Sequence, residues 1–169
     1  LVGSKPDTNM KLGIDLGTTN TLAAYIEHGR PRLIPNSRGH FTTPSVIGLD
    51  SNGALLVGES ARNQVLSAPS RTIAQIKRSI GRRVALPLGS SAYSPEELSA
   101  RILHVVRDNA RQFLGDEIEE TVITVPAHFD DRQRAATIEA GLLAGFRRVS
   151  LLNEPTAAAF PYASRSRNH

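Results

Sequence analysis

Apolar residues at Leu98, Ile102, Val105, Val106, Ala110, Phe113 and Leu114 keep the spacing of one face of an α-helix. In front of them, Ser94-Pro95-Glu96-Glu97 offers a capping box with Pro at the first helical position, and Gly115 supplies a stop. The pattern then changes period. Thr121 to Val125 is a short β-branched run with apolar residues on both faces, as a buried parallel strand requires. A second helix is predicted from about Asp131 to Ala144, ended by Gly145, with Asp130 and Asp131 as simple N-caps. A strand over Val149 to Leu152 and a last helix starting near Pro155 follow. Before residue 94 the runs are shorter. They predict strands near 11–16, 20–27 and 31–35, another at Ser45 to Leu49, and a short one at Leu55 to Val57 after the turn Asp50-Ser51-Asn52-Gly53. Residues 59–67 and 72–80 read as helical, broken by Pro69, and 84–93 as a loop.

The predicted order is β-β-β, an inserted α+β block, then α-β-α-β-α. Three antiparallel strands continued by parallel βα units match the ribonuclease H-like half-fold of the actin-like ATPases. At 169 residues the chain fits one domain able to bury roughly 70% of its unfolded surface. Its hydrophobic content of 40% and charged content of 21% are ordinary for a globular protein. No apolar run approaches the ~20 residues that span a bilayer, and no signal-peptide pattern is visible, so no membrane partner is expected. Residues 1–9 are polar and unpatterned and read as a leader or expression scar. Cys is absent, which excludes disulfides and thiolate metal sites and fits the cytoplasm.

Net charge is +4, but the Arg residues are scattered and aromatics are only 5%, so no stacking platform for nucleic acid emerges. Coding bias and solvated faces explain the charge, and no nucleic-acid partner is expected. The five His residues show no metal-ligand spacing. Lys is rare: besides Lys5 and Lys11 only Lys77 occurs, which makes it conspicuous.

The run Gly13-Ile14-Asp15-Leu16-Gly17-Thr18-Thr19-Asn20 carries the clearest chemistry. It is a strand, a turn without bulk, and the start of a second strand. Gly lets backbone amides approach a ligand, and consecutive amides in a tight turn form a concave donor site for anions. The Thr hydroxyls add donors, and a carboxylate at the strand end can hold a hydrated divalent cation. Phosphate plus metal is one reading; a plain hairpin turn, which favours Gly anyway, is the other.

Five segments occur in fixed order: Ile14-Asp15-Leu16-Gly17-Thr18-Thr19-Asn20, Thr42-Thr43-Pro44-Ser45, Ile76-Lys77-Arg78-Ser79-Ile80-Gly81-Arg82-Arg83, Val122-Ile123-Thr124-Val125-Pro126-Ala127, and Asn153-Glu154-Pro155-Thr156-Ala157-Ala158-Ala159. With these the chain closely resembles, from about Met10 to Tyr162, the N-terminal lobe of the nucleotide-binding domain of DnaK-type heat-shock chaperones, the seventy-kilodalton family. The resemblance implies an α/β fold, lobe I of the actin-like ATPases. Residues 10–43 and 116–163 would form the ribonuclease H-like subdomain, 44–115 an inserted smaller α+β subdomain, and 164–169 a tail.

The resemblance also implies roles. ATP or ADP and Mg2+ would be the ligands, with Asp15 holding the metal through water. Gly17, Thr18, Thr19 and Asn20 would line the phosphates. Lys77 would reach the γ-phosphate and the attacking water, and Glu154 would sit in the metal and water shell. Pro126 and Arg134 would relay nucleotide state to the interdomain linker. Implied partners are unfolded client peptides through a further domain, a J-domain co-chaperone and a nucleotide exchange factor. Each residue has a plainer reading alone: Lys77 as a solvated helix residue, Glu154 as a helix-start acid favoured by the macrodipole, Pro126 as a strand stop.

Departures accompany the likeness. The stretch Val84 to Tyr93 is much shorter than in the main chaperones and looks like the divergent HscC-type branch. His128 stands where the family usually has Tyr, and Asp130 where it has Asn. Ser150 replaces the Arg used in J-domain coupling, and Pro161 falls inside the last helix, where an interior Pro costs about 3 kcal/mol. No Asp-Leu-Gly-Gly-Gly-Thr phosphate loop occurs in this sequence. The chain is therefore expected to be half of a nucleotide clamp. A non-catalytic interaction module and a sugar or acetate kinase lobe are the alternatives.

Overall fold

The computed structural model describes residues 10–154. In chain order the strands and helices are β1 (Lys11–Leu16), β2 (Asn20–Glu27), β3 (Arg30–Leu33), β4 (Thr43–Pro44), β5 (Val46–Leu49), β6 (Leu55–Val57), α1 (Glu59–Arg62), β7 (Thr72–Ala74), β8 (Leu86–Leu88), β9 (Ser91–Tyr93), α2 (Pro95–Leu114), β10 (Glu120–Val125), α3 (Asp131–Leu143) and β11 (Arg148–Asn153). The main sheet runs β11-β10-β1-β2-β3, with β4 attached to β2. β1 is antiparallel to β2 and β2 to β3, whereas β10 lies parallel to both β1 and β11. The expected meander continued by parallel βα units is thus the arrangement of this mixed α/β sheet.

Alternation along β1 explains its burial. Leu12, Ile14 and Leu16 point into the core, Lys11 and Gly13 are exposed on the other face, and Asp15 is half buried. The core joins these three residues to Ile123 of β10, to Leu98, Ile102, Leu103, Val106 and Ala110 of α2, and to Ala140 of α3. The two ends of α2 are as its sequence predicts. The Ser94 side chain accepts from the Glu97 N–H at 3.1 Å, Glu97 accepts from the Ser94 N–H at 2.7 Å, and Gly115 closes the helix in the left-handed conformation. At α3, Asp130 is the N-cap and Asp131 begins the helix. In β10, Val122 and Thr124 are only half buried, so this strand is less enclosed than its apolar run predicts.

Three expectations are corrected. Residues 72–80 are not a helix: Thr72 and Ile73 pair with β5 as an outer strand of the three-stranded sheet β6-β5-β7, and a 3-10 turn follows over Ile76–Ser79. Gln75, at φ 57, makes the break between them. Residues 59–67 hold only one α-helical turn. Beyond it, the Gln64 amide donates to the carbonyls of Leu49 and Arg71 at 3.0 and 3.2 Å, tying the segment to its neighbours. Residues 84–93 are a hairpin, β8 with β9, anchored by the buried Leu88. The leader, the last helix from Pro155 with its Pro161, and the tail lie outside the described residues.

Candidate functional site

Register brings the candidate residues to one end of the main sheet. In the parallel strands Asp15 lies beside Thr124, Thr124 beside Leu152, and Val125 beside Asn153. The Gly17–Thr19 turn, Pro126 and Glu154 therefore follow directly from the carboxyl ends of β1, β10 and β11. In open α/β sheets that end is where ligands bind.

Asp15 keeps its carboxylate half buried, and its Oδ1 accepts a hydrogen bond from Thr124 Oγ1 at 3.0 Å. Thr124 is the only side-chain partner of Asp15 among the described residues. It leaves the second carboxylate oxygen available. The turn after β1 has no room for a side chain at its first position: a Cβ on Gly17 would lie 2.1 Å from the Asn20 carbonyl oxygen. Thr18 is half buried, and Thr19 and Asn20 are exposed.

Lys77 is not the solvated helix residue of its plainer reading. The 3-10 turn is pinned by Ile76 and Ile80, both fully buried, and the Lys77 side chain is only 10% exposed. Its Nζ donates to Glu154 Oε1 at 2.9 Å and lies 5.7 Å from the Phe129 ring centroid, a cation–π distance. Just after it, the Gly81 N–H donates to Glu96 Oε1 at 3.0 Å. Gly81 itself packs on α3 at φ 76, where a Cβ would meet the Gln133 backbone at 2.8 Å. The lysine segment is thereby held between the first turns of α2 and α3.

Pro126 and Arg134 belong to the same cluster. The Pro126 carbonyl accepts from the Phe129 N–H at 3.1 Å. Arg134 donates through Nε to the Phe129 carbonyl at 3.1 Å and through Nη2 to Asn153 Oδ1 at 2.8 Å. A continuous path thus runs from Pro126 through Phe129 and Arg134 to Asn153, the residue before Glu154. Lys77 touches it at both Phe129 and Glu154. Asp15 and the Gly17–Thr19 turn share the sheet end with this cluster but make no hydrogen bond or ion pair with it. Thr124, Phe129 and Asn153 have structural parts here that the sequence did not single out. Among the described residues no three His, Cys, Asp or Glu side chains converge on a direct metal site.

The family model for Hsp70 protein matches residues 11–91 and 84–168. The chain belongs to the Hsp70 family. Among curated relatives, "Chaperone protein DnaK" from two strains of Halobacterium salinarum is 49% identical over 152 residues, which is 89% of this chain and 24% of theirs. The chain thus spans about a quarter of the length of these Hsp70 relatives. Both are chaperones by name, and membership of the heat-shock chaperone family agrees with the resemblance carried by the five segments. No helix among the described residues is long and apolar enough to cross a membrane.

Proposed function

We propose that this chain is lobe I of the ATP-binding and ATP-hydrolysing domain of an Hsp70 chaperone, which couples nucleotide state to the binding of client peptides. The observation that carries the reading is the Lys77–Glu154 pair at the carboxyl end of the sheet that also presents Asp15 and the Gly17–Thr19 turn. The ribonuclease H-like description of the main sheet, with residues 44–115 as an insertion, belongs to the same proposal. Client peptides, a J-domain co-chaperone, an exchange factor and a cytoplasmic location are the corresponding expectations for the whole protein. The altered position Ser150 speaks against ordinary J-domain docking.

The residues suit Mg2+ and a triphosphate. Asp15, with one oxygen held by Thr124 and the other available, would hold hydrated Mg2+ through water. Bound there, Mg2+ would neutralise phosphate charge. The Gly17 amide region can approach an anion closely because no Cβ stands in the way. Lys77 spends one of its three N–H donors on Glu154 and keeps the others for oxygen atoms of the transferred group. In the reaction, the water oxygen would bond to the γ-phosphorus and release a proton to solvent while the bond to the bridging oxygen breaks, its electron pair leaving on ADP. Lys77 stabilises the charge that this develops, and Glu154 orients the water. On this reading Arg134, bonded to Asn153, and Pro126, linked to it through Phe129, sense the position of Glu154 and relay it.

Lobe I by itself should not turn over ATP. The 169-residue chain alone is expected to release phosphate from saturating ATP no faster than its Lys77→Ala variant, whereas a full-length protein carrying it hydrolyses ATP. Steady-state phosphate release by the isolated chain clearly above the Lys77→Ala control would contradict the lobe assignment. It would place a complete active site within these residues.

A further inference from the structure

The motif Thr42-Thr43-Pro44-Ser45 has no part in the chemistry above, yet it lies directly behind the Gly17–Thr19 turn. β4 pairs with β2 through Asn20 with Pro44 and Thr21 with Thr43. This leaves Ser45 against the turn, with Thr21 and Ser45 exposed by 0% and 2%. Three hydrogen bonds meet there. Ser45 N–H donates to the Thr19 carbonyl at 2.8 Å, Ser45 Oγ donates to the Gly17 carbonyl at 2.8 Å, and Ser45 Oγ lies 2.9 Å from Thr21 Oγ1. A carbonyl cannot donate, and a serine hydroxyl has one hydrogen, which goes to Gly17. Thr21 must therefore be the donor to Ser45, and the order Thr21 to Ser45 to Gly17 carbonyl is fixed.

That order has a consequence for the ligand side. Two carbonyl oxygens of the turn, which would repel an anion, are both drawn back onto Ser45. The chain has no cis peptide among the described residues, so the Thr18 N–H points opposite to the Gly17 carbonyl across one planar unit. Drawing that carbonyl inward turns the Thr18 N–H outward. This N–H has no acceptor among the described residues. We propose that Ser45 and Thr21 are positioning residues that aim the Thr18 amide at a nucleotide phosphate while touching no ligand themselves. The proposal rests on the reading of the turn as a phosphate site.

The test is a titration of the full chain, labelled with nitrogen-15, with Mg·ATP, following the Thr18 amide by NMR. In the wild type the Thr18 signal is expected to shift and saturate. Thr21→Val keeps shape and volume but removes the donor to Ser45, and should weaken the binding read at Thr18 by about tenfold. Its amides away from the turn should keep their positions. Thr21→Ser, which restores a hydroxyl, should return to within about threefold of wild type. Ser45→Ala should behave as Thr21→Val or worse; if it fails to fold, the two Thr21 variants still decide. Wild-type binding with unchanged affinity in Thr21→Val would overturn the positioning role while leaving the phosphate site intact. No shift of Thr18 in the wild type up to roughly 10 mM Mg·ATP would overturn the phosphate reading of the turn and this proposal with it.

Discussion

Lys77→Ala in a full-length protein carrying this chain is expected to lower the rate of ATP cleavage by about 100- to 1000-fold, with nucleotide affinity changed by less than about threefold. The split follows from where the ammonium is held. Lys77 is almost buried, locked between Glu154 Oε1 at 2.9 Å and the Phe129 ring, and cannot swing freely into solvent. Such a fixed cation acts most strongly on charge that appears only as the phosphoryl group transfers, so it lowers the barrier more than it tightens the ground state. Folding should survive the change. Glu154 loses its partner, but its side chain is 43% exposed and water can hydrate it. Glu154→Ala should show the same bias toward rate, because the water it orients forms its new bond only in the transition state. Single-turnover kinetics beside calorimetric titration separate the two quantities. A loss of affinity matching the loss of rate, or an unchanged rate constant, would remove Lys77 from the chemistry.

The second large effect is expected at Gly17. An Ala there would place its Cβ 2.1 Å from the Asn20 carbonyl oxygen, a backbone atom with no rotamer to move away. The turn must open, which should cost about 1–3 kcal/mol. In a chain of this size that lowers the melting temperature by roughly 2–4 °C for each kcal/mol. The carbonyl held by Ser45 would move with it, and the Thr18 amide with the carbonyl. Gly13→Ala, in the strand that leads into the turn, is the control: its Cβ would meet only the Ala24 carbonyl oxygen at 3.7 Å, an ordinary contact. Thermal melts should therefore separate the two variants clearly. Equal melts would mean that the turn is looser than its hydrogen bonds imply.

What the sequence discloses of this fold depends on how local each cause is. α2 announces itself because its apolar stripe, capping box and terminal Gly115 all lie within one continuous segment. β1, β2, β3, β10 and β11 are equally legible as short runs between turns. Residues 72–80 mislead for a physical reason. Ile73, Ile76 and Ile80 stand at i, i+3 and i+7, a helical spacing, but Ile73 is spent on pairing with Ile47 and the left-handed Gln75 redirects the chain. β4 is two residues long and contains Pro44, so no periodicity marks it. The hairpin β8 with β9 hides behind Pro87, which reads as loop until Leu86 and Tyr93 are seen to face each other.

The site divides along the same line. Asp15 and Gly17 could be named from the chemistry of their own turn, whereas Lys77 and Glu154 are named only through the resemblance of their segments to the family. The contacts that make them a site could not be named either way. Thr124 meets Asp15 across 109 positions through the parallel β1–β10 register, and Lys77 meets Glu154 across 77, a separation closed by the packing of its 3-10 turn against α2 and α3. Arg134 is similar: its place on α3 is readable, but its bond to Asn153 depends on how that helix packs beside β11.

This sheet end is proposed as a metal–phosphate site organised by Asp15, the Gly17–Thr19 turn, Lys77 and Glu154. It is tested most directly by a crystal structure of a full-length protein carrying the chain, grown with ADP and Mn2+ in place of Mg2+, in which the metal is located by anomalous scattering. A single strong peak is expected about 4–5 Å from the Asp15 carboxylate, the reach of one bridging water, with phosphate density over the Gly17–Thr19 turn. A metal bound elsewhere, with the phosphates away from that turn, would contradict it.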